Sequence, residues 1–306
     1  MNYSVVIPTY ERRDNLALIL ERLAGSVSHR THVMILTEPG SDSLPTKEQM
    51  AGWSETLDIE IAINNCNVGV DESILRAYEA CKSDWIYFLG DSKLPAEDFE
   101  RVITSTNIAC PMAVAYFFCH DSSFKGGIAI RTIEDLVRSG LTLGDFILGG
   151  NSIFSRKIVE RYIRYSYRTL SSRIAHVAMP IIALSKGELI FISNNRVIEK
   201  FIEKPATYLP GKALLDCWAS FPLLTLLPIS YKNALLINKY AVNYETNASR
   251  LNFFKYSLLK IFRENTSISK DLLVIINTRY IFYKKWDEWI MLRLLYFISV
   301  VVDKFR

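Results

Sequence analysis

Short apolar runs alternate with segments of helical periodicity through the first hundred residues, and this alternation limits the folds open to the chain. The runs are rich in β-branched residues and too short for buried helices, which predicts strands buried on both faces. Strands that alternate with helices predict a doubly wound, mostly parallel sheet. The predicted strands are Ser4–Pro8, Val33–Leu36, Ile59–Ile63 and Trp85–Leu89, and the predicted helices are Asp14–Leu23 and Asp71–Cys81.

The pattern continues less regularly further along the chain and then changes. Beyond Pro205 it is mainly helical and mixes aromatic with basic residues. We therefore predict an α/β domain over residues 1–204, with a Rossmann-like sheet flanked by helices, and a mainly helical C-terminal extension over residues 205–306. Within the first domain, further strands are predicted at Val114–Phe118 and Leu189–Ile192, a strand-like stretch at Thr142–Phe154, and helices at Ile133–Arg138 and Arg173–Ser185.

Charge is divided unevenly along the 306 residues, whose net charge is +4. Residues 1–150 carry 12 Lys and Arg against 21 Asp and Glu, a net of −9, whereas residues 151–306 carry 24 against 11, a net of +13. A basic, aromatic-rich second half predicts contact with something anionic, such as phospholipid or a diphosphate-linked substrate. Nucleic acid is the rival interpretation of the charge alone.

The cysteines and the apolar segments bear on the compartment. Five cysteines without a C-x-x-C pair predict neither a disulfide framework nor a zinc knuckle, and therefore a reducing environment. The N-terminus lacks the pattern of an export signal. The apolar segments Cys217–Tyr231 and Trp289–Val302 fall short of the roughly 20 residues that a spanning helix needs. We expect a cytoplasmic protein.

Polar loops follow three of the predicted strands, at the edge where open α/β sheets bind their ligands. They read Pro8-Thr9-Tyr10-Glu11-Arg12, Glu38-Pro39-Gly40-Ser41-Asp42 and Gly90-Asp91-Ser92-Lys93. In this order the loops resemble those of the family-2 GT-A glycosyltransferases.

Two further stretches carry the same resemblance. The opening V-V-I-P-T-Y-E-R is close to the family's V-V-I-P-T-Y-N-R start, and Asn67-Val68-Gly69 matches its N-x-G before a helix. Asp84-Trp85-Ile86-Tyr87-Phe88-Leu89 matches the family's D-Y-I-x-F-L stretch. The resemblance covers roughly residues 3–200. A more specific similarity is to the abequosyltransferase-like sugar transferases of bacterial surface polysaccharide synthesis, whose acidic motif is often written G-D-D-D-x-L.

The resemblance implies an activity and a binding pocket. A GT-A enzyme of this kind moves a sugar from a nucleotide-sugar donor to a glycan or lipid-linked acceptor, here with inversion. Pro8, Thr9 and Glu11 would line the nucleoside pocket. Glu38 stands where the family's Asp meets the base, although the second Asp of that pair is Pro39 here.

The acidic motif departs from the family. GT-A enzymes normally offer Asp-x-Asp, whose carboxylates share a divalent cation, Mg or Mn, with the sugar diphosphate. Asp91 keeps the first acid, while Ser92 and Lys93 occupy the next two positions. Three hypotheses stay open: Lys93 replaces the metal as neutraliser of the diphosphate, Asp91 holds a weakly bound metal with other ligands, or the site is inactive. A solvated turn with Lys93 in water is the purely structural alternative.

The general base must reach the acceptor hydroxyl. In the family an Asp does this roughly 12 residues before a glycine that ends a helix, and counting back from Gly187 reaches His176. A histidine with its ordinary pKa near 6.5 suits a base at neutral pH. Asp145 is the second candidate because it follows a predicted strand beside Gly149-Gly150-Asn151. A packed helical histidine is the alternative for His176.

The segment 280–306 interleaves basic with aromatic residues, which suits the headgroup layer of a membrane. It predicts peripheral contact at the inner face of the cell membrane, whereas packing on the catalytic domain or in a homo-oligomer would explain the same pattern. No nucleic-acid partner is expected.

Two other functions stay open. A catalytically silent GT-A module could bind a nucleotide sugar or a partner as a scaffold, and the altered acidic motif favours this alternative. A sugar-nucleotidyltransferase fits less well, because the first loop lacks the glycines and lysines that such an enzyme would want.

Overall fold

The computed structural model of the protein describes residues 1–119, 127–141, 145–146, 150–170, 174–202, 224 and 227–243. The segment 280–306 and most of the predicted C-terminal extension lie outside the described residues. The apolar segment 289–302 and Arg173, where a helix was predicted to start, also lie outside them. Among the described residues, no helix has both the length and the apolar character needed to cross a membrane.

Ten strands are described, and eight of them form one mixed sheet in the order β3-β2-β1-β4-β8-β6-β9-β7. The first four strands of this order run parallel, and β8 runs antiparallel to both β4 and β6. Strands β5 and β10 form a separate antiparallel pair. The strands are β1 (Tyr3–Thr9), β2 (Thr31–Thr37), β3 (Leu57–Ile63), β4 (Trp85–Phe88), β5 (Lys93–Pro95), β6 (Ala115–Phe118), β7 (Ile128–Ile130), β8 (Ser152–Ser155), β9 (Ile190–Ser193) and β10 (Ile198–Phe201).

Helices cover both faces of the sheet. The described helices are α1 (Arg13–Ser26), α2 (Lys47–Trp53), α3 (Val70–Ala80), α4 (Phe99–Ala109), α5 (Ile133–Arg138), α6 (Arg156–Tyr167), α7 (Ala178–Ser185) and α8 (Tyr231–Asn243), with a 3₁₀ turn at Ala175–Val177.

The alternation of side chains along the strands builds two hydrophobic layers. Val5 and Ile7 of β1 pack on one face with Leu20 of α1 and Phe99 of α4. Val6, between them, packs on the opposite face, which α3, α6 and α7 cover. A strand buried on both faces belongs in the centre of a parallel sheet, which is where β1 lies. The predicted α/β class with a mostly parallel, helix-flanked sheet is therefore confirmed.

Two predicted elements differ in the structure. The stretch Thr142–Phe154 was predicted to be strand-like, but only Ser152–Ser155 forms a strand, and residues 145–146 are helical. Gly150 has a φ of +90°, a left-handed conformation that interrupts an extended strand. The predicted helix Arg173–Ser185 is, in its described part, the 3₁₀ turn followed by α7. Pro180 lies in the first turn of α7, where its missing N–H costs least, and so marks a new helix start.

Part of the predicted C-terminal extension contacts the first domain. Tyr240 of α8 is buried, and its hydroxyl donates a hydrogen bond to the carbonyl oxygen of Leu141 at 2.7 Å. Its ring lies edge-on to that of Phe146, with 6.2 Å between the ring centroids. Ile237 belongs to the same hydrophobic layer. The division of the chain near residue 205 stays a prediction.

Candidate functional site

An open cleft of about 250 Å³ lies at the carboxyl ends of β1, β2 and β4, with the loop after β3 and the first turns of α3 along one side. Parallel strands that end side by side leave their following loops around one crevice, which is the expected ligand position in an open α/β sheet. The cleft is lined by Pro8, Thr9, Tyr10, Arg12, Leu36, Glu38, Asn67, Gly69, Ser73 and Asp91.

Glu38 lies just beyond the end of β2 and is held in place by its neighbours. Its Oε1 accepts hydrogen bonds from Asn64 Nδ2 at 3.1 Å and from Ser73 Oγ at 2.9 Å. Arg76 in turn donates to Asn64 Oδ1 at 3.3 Å. The side chain of Glu38 is 8% exposed, and its Oε2 accepts no hydrogen bond from any described residue. A buried carboxylate oxygen of this kind can accept an N–H from a ligand in the cleft.

The loop after β3 is shaped by Asn67 and Gly69. The Gly69 N–H donates to Asn67 Oδ1 at 3.1 Å, and Gly69 has a φ of +79°, a conformation that glycine adopts without steric cost. This turn starts α3 and brings its Ser73 to the cleft.

Arg12 and Asp91 form an ion pair inside the cleft. Arg12 Nη1 lies 2.9 Å from Asp91 Oδ1, and the two side chains are 11% and 17% exposed. Arg12 directly precedes α1, and Asp91 follows β4, so the pair joins two loops that are 79 residues apart in sequence. Burial raises the pKa of Asp91 above its ordinary value, and the adjacent Arg12 guanidinium partly opposes that rise.

The acidic motif is fixed by backbone contacts on three sides. The Lys93 N–H donates to the Gly90 carbonyl at 3.0 Å, which closes a tight turn. Asn15 Nδ2 of α1 donates to the Asp91 carbonyl at 3.2 Å, and the Ile202 N–H donates to the Ser92 carbonyl at 2.8 Å. Ile202 directly follows β10, so the β5–β10 pair also helps to hold the motif.

Lys93 is buried, with 6% of its surface exposed, so it does not extend into water. Its aliphatic chain packs beside two glycines: a Cβ at Gly150 would lie 3.0 Å from both Lys93 Cδ and Lys93 Nζ, and one at Gly90 would lie 3.9 Å from Cδ. Burial lowers the pKa of Lys93 from 10.5 to about 8. Lys93 is not among the residues that line the cleft.

The acidic motif does not fit the divalent cation that such sites usually hold. Mg²⁺ and Mn²⁺ prefer several oxygen ligands, carboxylates above all. Asp91 is the one carboxylate of its motif, and it already pairs with the guanidinium of Arg12. In the part of the chain that the structure describes, no group of three or more His, Cys, Asp or Glu side chains could hold a metal ion.

The two candidate bases lie at the same edge of the sheet. His176, in the 3₁₀ turn, is 5% exposed, and its ring centroid lies 6.5 Å from that of Phe88, the last residue of β4. Asp145 is 6% exposed, and its carboxylate lies 3.5 Å from Asn151 Nδ2 and 3.5 Å from Cys119 Sγ. Because β8 is antiparallel to β4 and β6, its start brings Asn151 back to the edge where those strands end.

The predicted site residues divide into two sets. Pro8, Thr9, Glu38 and Asp91 line the cleft, whereas Glu11, Ser92, Lys93, His176 and Asp145 are not among its lining residues. Glu11 is exposed and has a φ of 54°, and its N–H donates to Ser41 Oγ and to Ser43 Oγ at 3.1 and 2.6 Å. Sequence reasoning quoted Arg12 and Asn67 within motifs without giving either a role, and it did not include Ser73. Their common signal is position, directly after a strand or at the start of the next helix.

No family model matches the chain. Over 105 residues it is 30% identical to the undecaprenyl-phosphate 4-deoxy-4-formamido-L-arabinose transferase of Pseudomonas savastanoi pv. phaseolicola (strain 1448A / Race 6). That match covers 33% of this chain and 31% of the curated protein, so the chain spans about a third of the length of this relative.

Two solved structures share the fold over most of the chain. S. aureus TarS 1-349 in complex with UDP-GlcNAc has a TM-score of 0.62 at 11% identity, and the match covers 91% of this chain and 80% of that one. The mannosyltransferase PcManGT from Pyrobaculum calidifontis, in complex with GDP-Man and Mn²⁺, has a TM-score of 0.56 at 12% identity, with 98% and 86% covered. The fold of this chain is the GT-A fold of these proteins, as the strand-end motifs predicted.

Proposed function

We propose that this GT-A protein is a glycosyltransferase that moves a sugar from a nucleotide-sugar donor to a glycan or lipid-linked acceptor in bacterial surface polysaccharide synthesis, with inversion. The observation that carries the proposal is the buried carboxylate of Glu38 at the end of β2: Glu38 lines the cleft, and its Oε2 accepts no hydrogen bond from a described residue. An ionised carboxylate accepts hydrogen bonds only, which suits the N–H of a nucleotide base. Leaving that oxygen unpaired is costly, and a bound base would remove the cost.

The relatives support the same class of donor and acceptor. TarS 1-349 was solved with UDP-GlcNAc and PcManGT with GDP-Man, both nucleotide sugars. The curated relative is named as an undecaprenyl-phosphate sugar transferase, which points to a lipid-linked acceptor. For this chain, a cytoplasmic position at the inner face of the membrane would bring such an acceptor to the cleft.

Calorimetric titration of the whole chain with UDP-, GDP-, CDP- and dTDP-sugars tests the proposal, followed by an assay of donor hydrolysis. We expect one base to bind clearly better than the others, and Glu38→Gln to weaken that donor by about tenfold or more, since it removes a charged acceptor. Glu60→Gln is the matched control, because Glu60 lies on the edge strand β3 with its side chain 60% exposed.

The outcomes separate the candidate functions. If no nucleotide sugar binds, the proposal is wrong. If a donor binds but is neither hydrolysed nor transferred, the silent scaffold module replaces the enzyme. If the protein instead makes a nucleotide sugar from a nucleoside triphosphate and a sugar phosphate, it is a sugar-nucleotidyltransferase.

A further inference from the structure

We propose that Arg12, oriented by Asp91, supplies the positive charge for the donor's diphosphate at the position where a divalent cation would act, and that donor binding therefore needs no metal. The inference rests on the proposed function, because it assigns a group within the same nucleotide-sugar site. It gives Arg12 a binding role and makes Asp91 a positioning residue instead of a metal ligand.

The geometry of the ion pair carries the first step. Arg12 and Asp91 both line the cleft, and their 2.9 Å contact joins the loop after β1 to the loop after β4. Asp91 is itself held, because Asn15 of α1 donates to its carbonyl oxygen. The guanidinium therefore has a fixed place at the carboxyl edge of the sheet. A side chain that is already held in position loses less entropy when it binds an anion.

The net charge of the site is the second observation. Two carboxylates with one divalent cation have a net charge of zero. One carboxylate with one guanidinium also has a net charge of zero, and this is the pair that the chain presents. The change from an Asp-x-Asp motif to Asp91-Ser92-Lys93 removes an acid, and Arg12 matches the remaining one.

The chemistry of the guanidinium fits the ligand. It carries five N–H donors in a planar fork that matches phosphate oxygens two at a time. Asp91 Oδ1 accepts a hydrogen bond from Nη1. A divalent cation placed on Asp91 would lie beside this fixed positive charge and would be repelled by it.

Lys93 is less suited to the same task. It is 6% exposed, its chain packs beside Gly90 and Gly150, and it does not line the cleft. Arg12 does line the cleft, and it is the cation among the described residues that line it.

Titration of the whole chain with UDP, GDP, CDP and dTDP, each paired with its monophosphate, in excess EDTA and then with Mn²⁺, tests the inference. Arg12→Gln should weaken the preferred diphosphate by about tenfold or more and its monophosphate much less, because the lost contact is charge-assisted. Arg12→Lys keeps the charge without the fork and should fall between. Arg13→Gln is the matched control, since the neighbouring Arg13 is 45% exposed and pairs with Asp42 at the surface.

The Asp91→Asn variant shows whether Asp91 binds a metal or positions Arg12. Asp91→Asn should keep most of the diphosphate affinity if Asp91 orients Arg12, whereas a metal ligand would lose the Mn²⁺-dependent part. Binding by the wild type that vanishes in EDTA overturns the inference, and so does an Arg12→Gln variant, folded by circular dichroism, that still prefers the diphosphate. If the wild type binds no nucleotide at all, the proposed function fails together with the inference. If the wild type binds nucleotides and Arg12→Gln binds the diphosphate as well as the wild type does, only the inference fails.

Discussion

At the scale of single residues, Lys93 and Arg12 show how burial separates two cations of neighbouring loops. Lys93 is an ammonium on a flexible chain inside the protein, and desolvation lowers its pKa to about 8. Arg12 pairs with Asp91 and lines the cleft. Both cations were visible in the sequence, but only the tertiary structure shows which one borders the cleft.

The lowered pKa of Lys93 predicts a specific pH dependence of stability. Below about pH 8 the side chain is charged in the folded and the unfolded chain, so its desolvation cost is complete. Between about 8 and the ordinary value of 10.5 the folded protein has released the proton and the unfolded chain has not, so the free energy of unfolding rises with pH. Lys93→Met, which cannot titrate, should lack this rise.

Urea unfolding of wild type and Lys93→Met at about pH 7 and about pH 10 measures this pH dependence of the free energy of unfolding. We expect the difference between the two proteins to change by on the order of 2 kcal/mol between these pH values, in favour of the wild type at high pH. Other titrating groups occur in both proteins and cancel. An unchanged difference would mean that Lys93 is not desolvated.

At the scale of elements, the short 3₁₀ turn Ala175–Val177 decides where a candidate base lies. The helical pattern of the sequence predicted one continuous helix over this region. In the structure His176 lies in the 3₁₀ turn that leads directly into α7; it is 5% exposed and lies near Phe88 at the end of β4. A base must be within hydrogen-bond reach of the acceptor, so the turn and not the helix controls this distance.

His176→Ala is therefore expected to lower sugar transfer by about a hundredfold or more while leaving nucleotide affinity unchanged. Initial rates with the donor that binds best, together with calorimetric titration of its nucleoside diphosphate, separate the two effects. His29→Ala is the control, because that side chain is 53% exposed and precedes β2, at the edge of the sheet opposite the cleft. A normal rate for His176→Ala and a collapsed rate for Asp145→Asn would transfer the role to Asp145.

At the scale of the whole molecule, the uneven charge of the chain suggests how it meets a lipid-linked acceptor. The acidic residues concentrate in the half that carries the cleft, and the basic ones in residues 151–306, which include the segment 280–306. A lipid-linked acceptor lies at a membrane whose inner face is anionic. We therefore propose that the basic residues of the segment 280–306 contact the membrane surface.

We expect the full chain to float with vesicles that contain anionic phospholipid and to bind less as salt rises. The substitutions Lys284→Glu, Lys285→Glu and Arg293→Glu together should reduce the bound fraction by about tenfold or more, since each basic residue contributes about 1 kcal/mol near such a surface. The control carries the same change of charge at three residues that are more than 60% exposed, Arg30, Arg101 and Arg138. Equal losses in both would show that total charge, and not the segment, attracts the membrane.

The sequence by itself determined the class of the fold and the place of the cleft. Short continuous apolar runs and helical runs of period 3.6 are local properties, so the first four strands and the helices α1 and α3 could be predicted to within a few residues. The edge at which parallel strands end then followed from topology, and the structure has a cleft there that Pro8, Thr9, Glu38 and Asp91 line. Their binding of a nucleotide stays a prediction.

Only the tertiary structure decided which groups meet within that edge. Arg12 and Asp91 are 79 residues apart, and Glu38 meets Ser73 across 35, so no local pattern records either contact. The burial of Lys93 against Gly150 depends on β8 returning antiparallel to β4, in a stretch whose sequence resembled a longer strand. Distances in space decide which charges pair and which side chains are buried, whereas a linear pattern shows only distances along the chain.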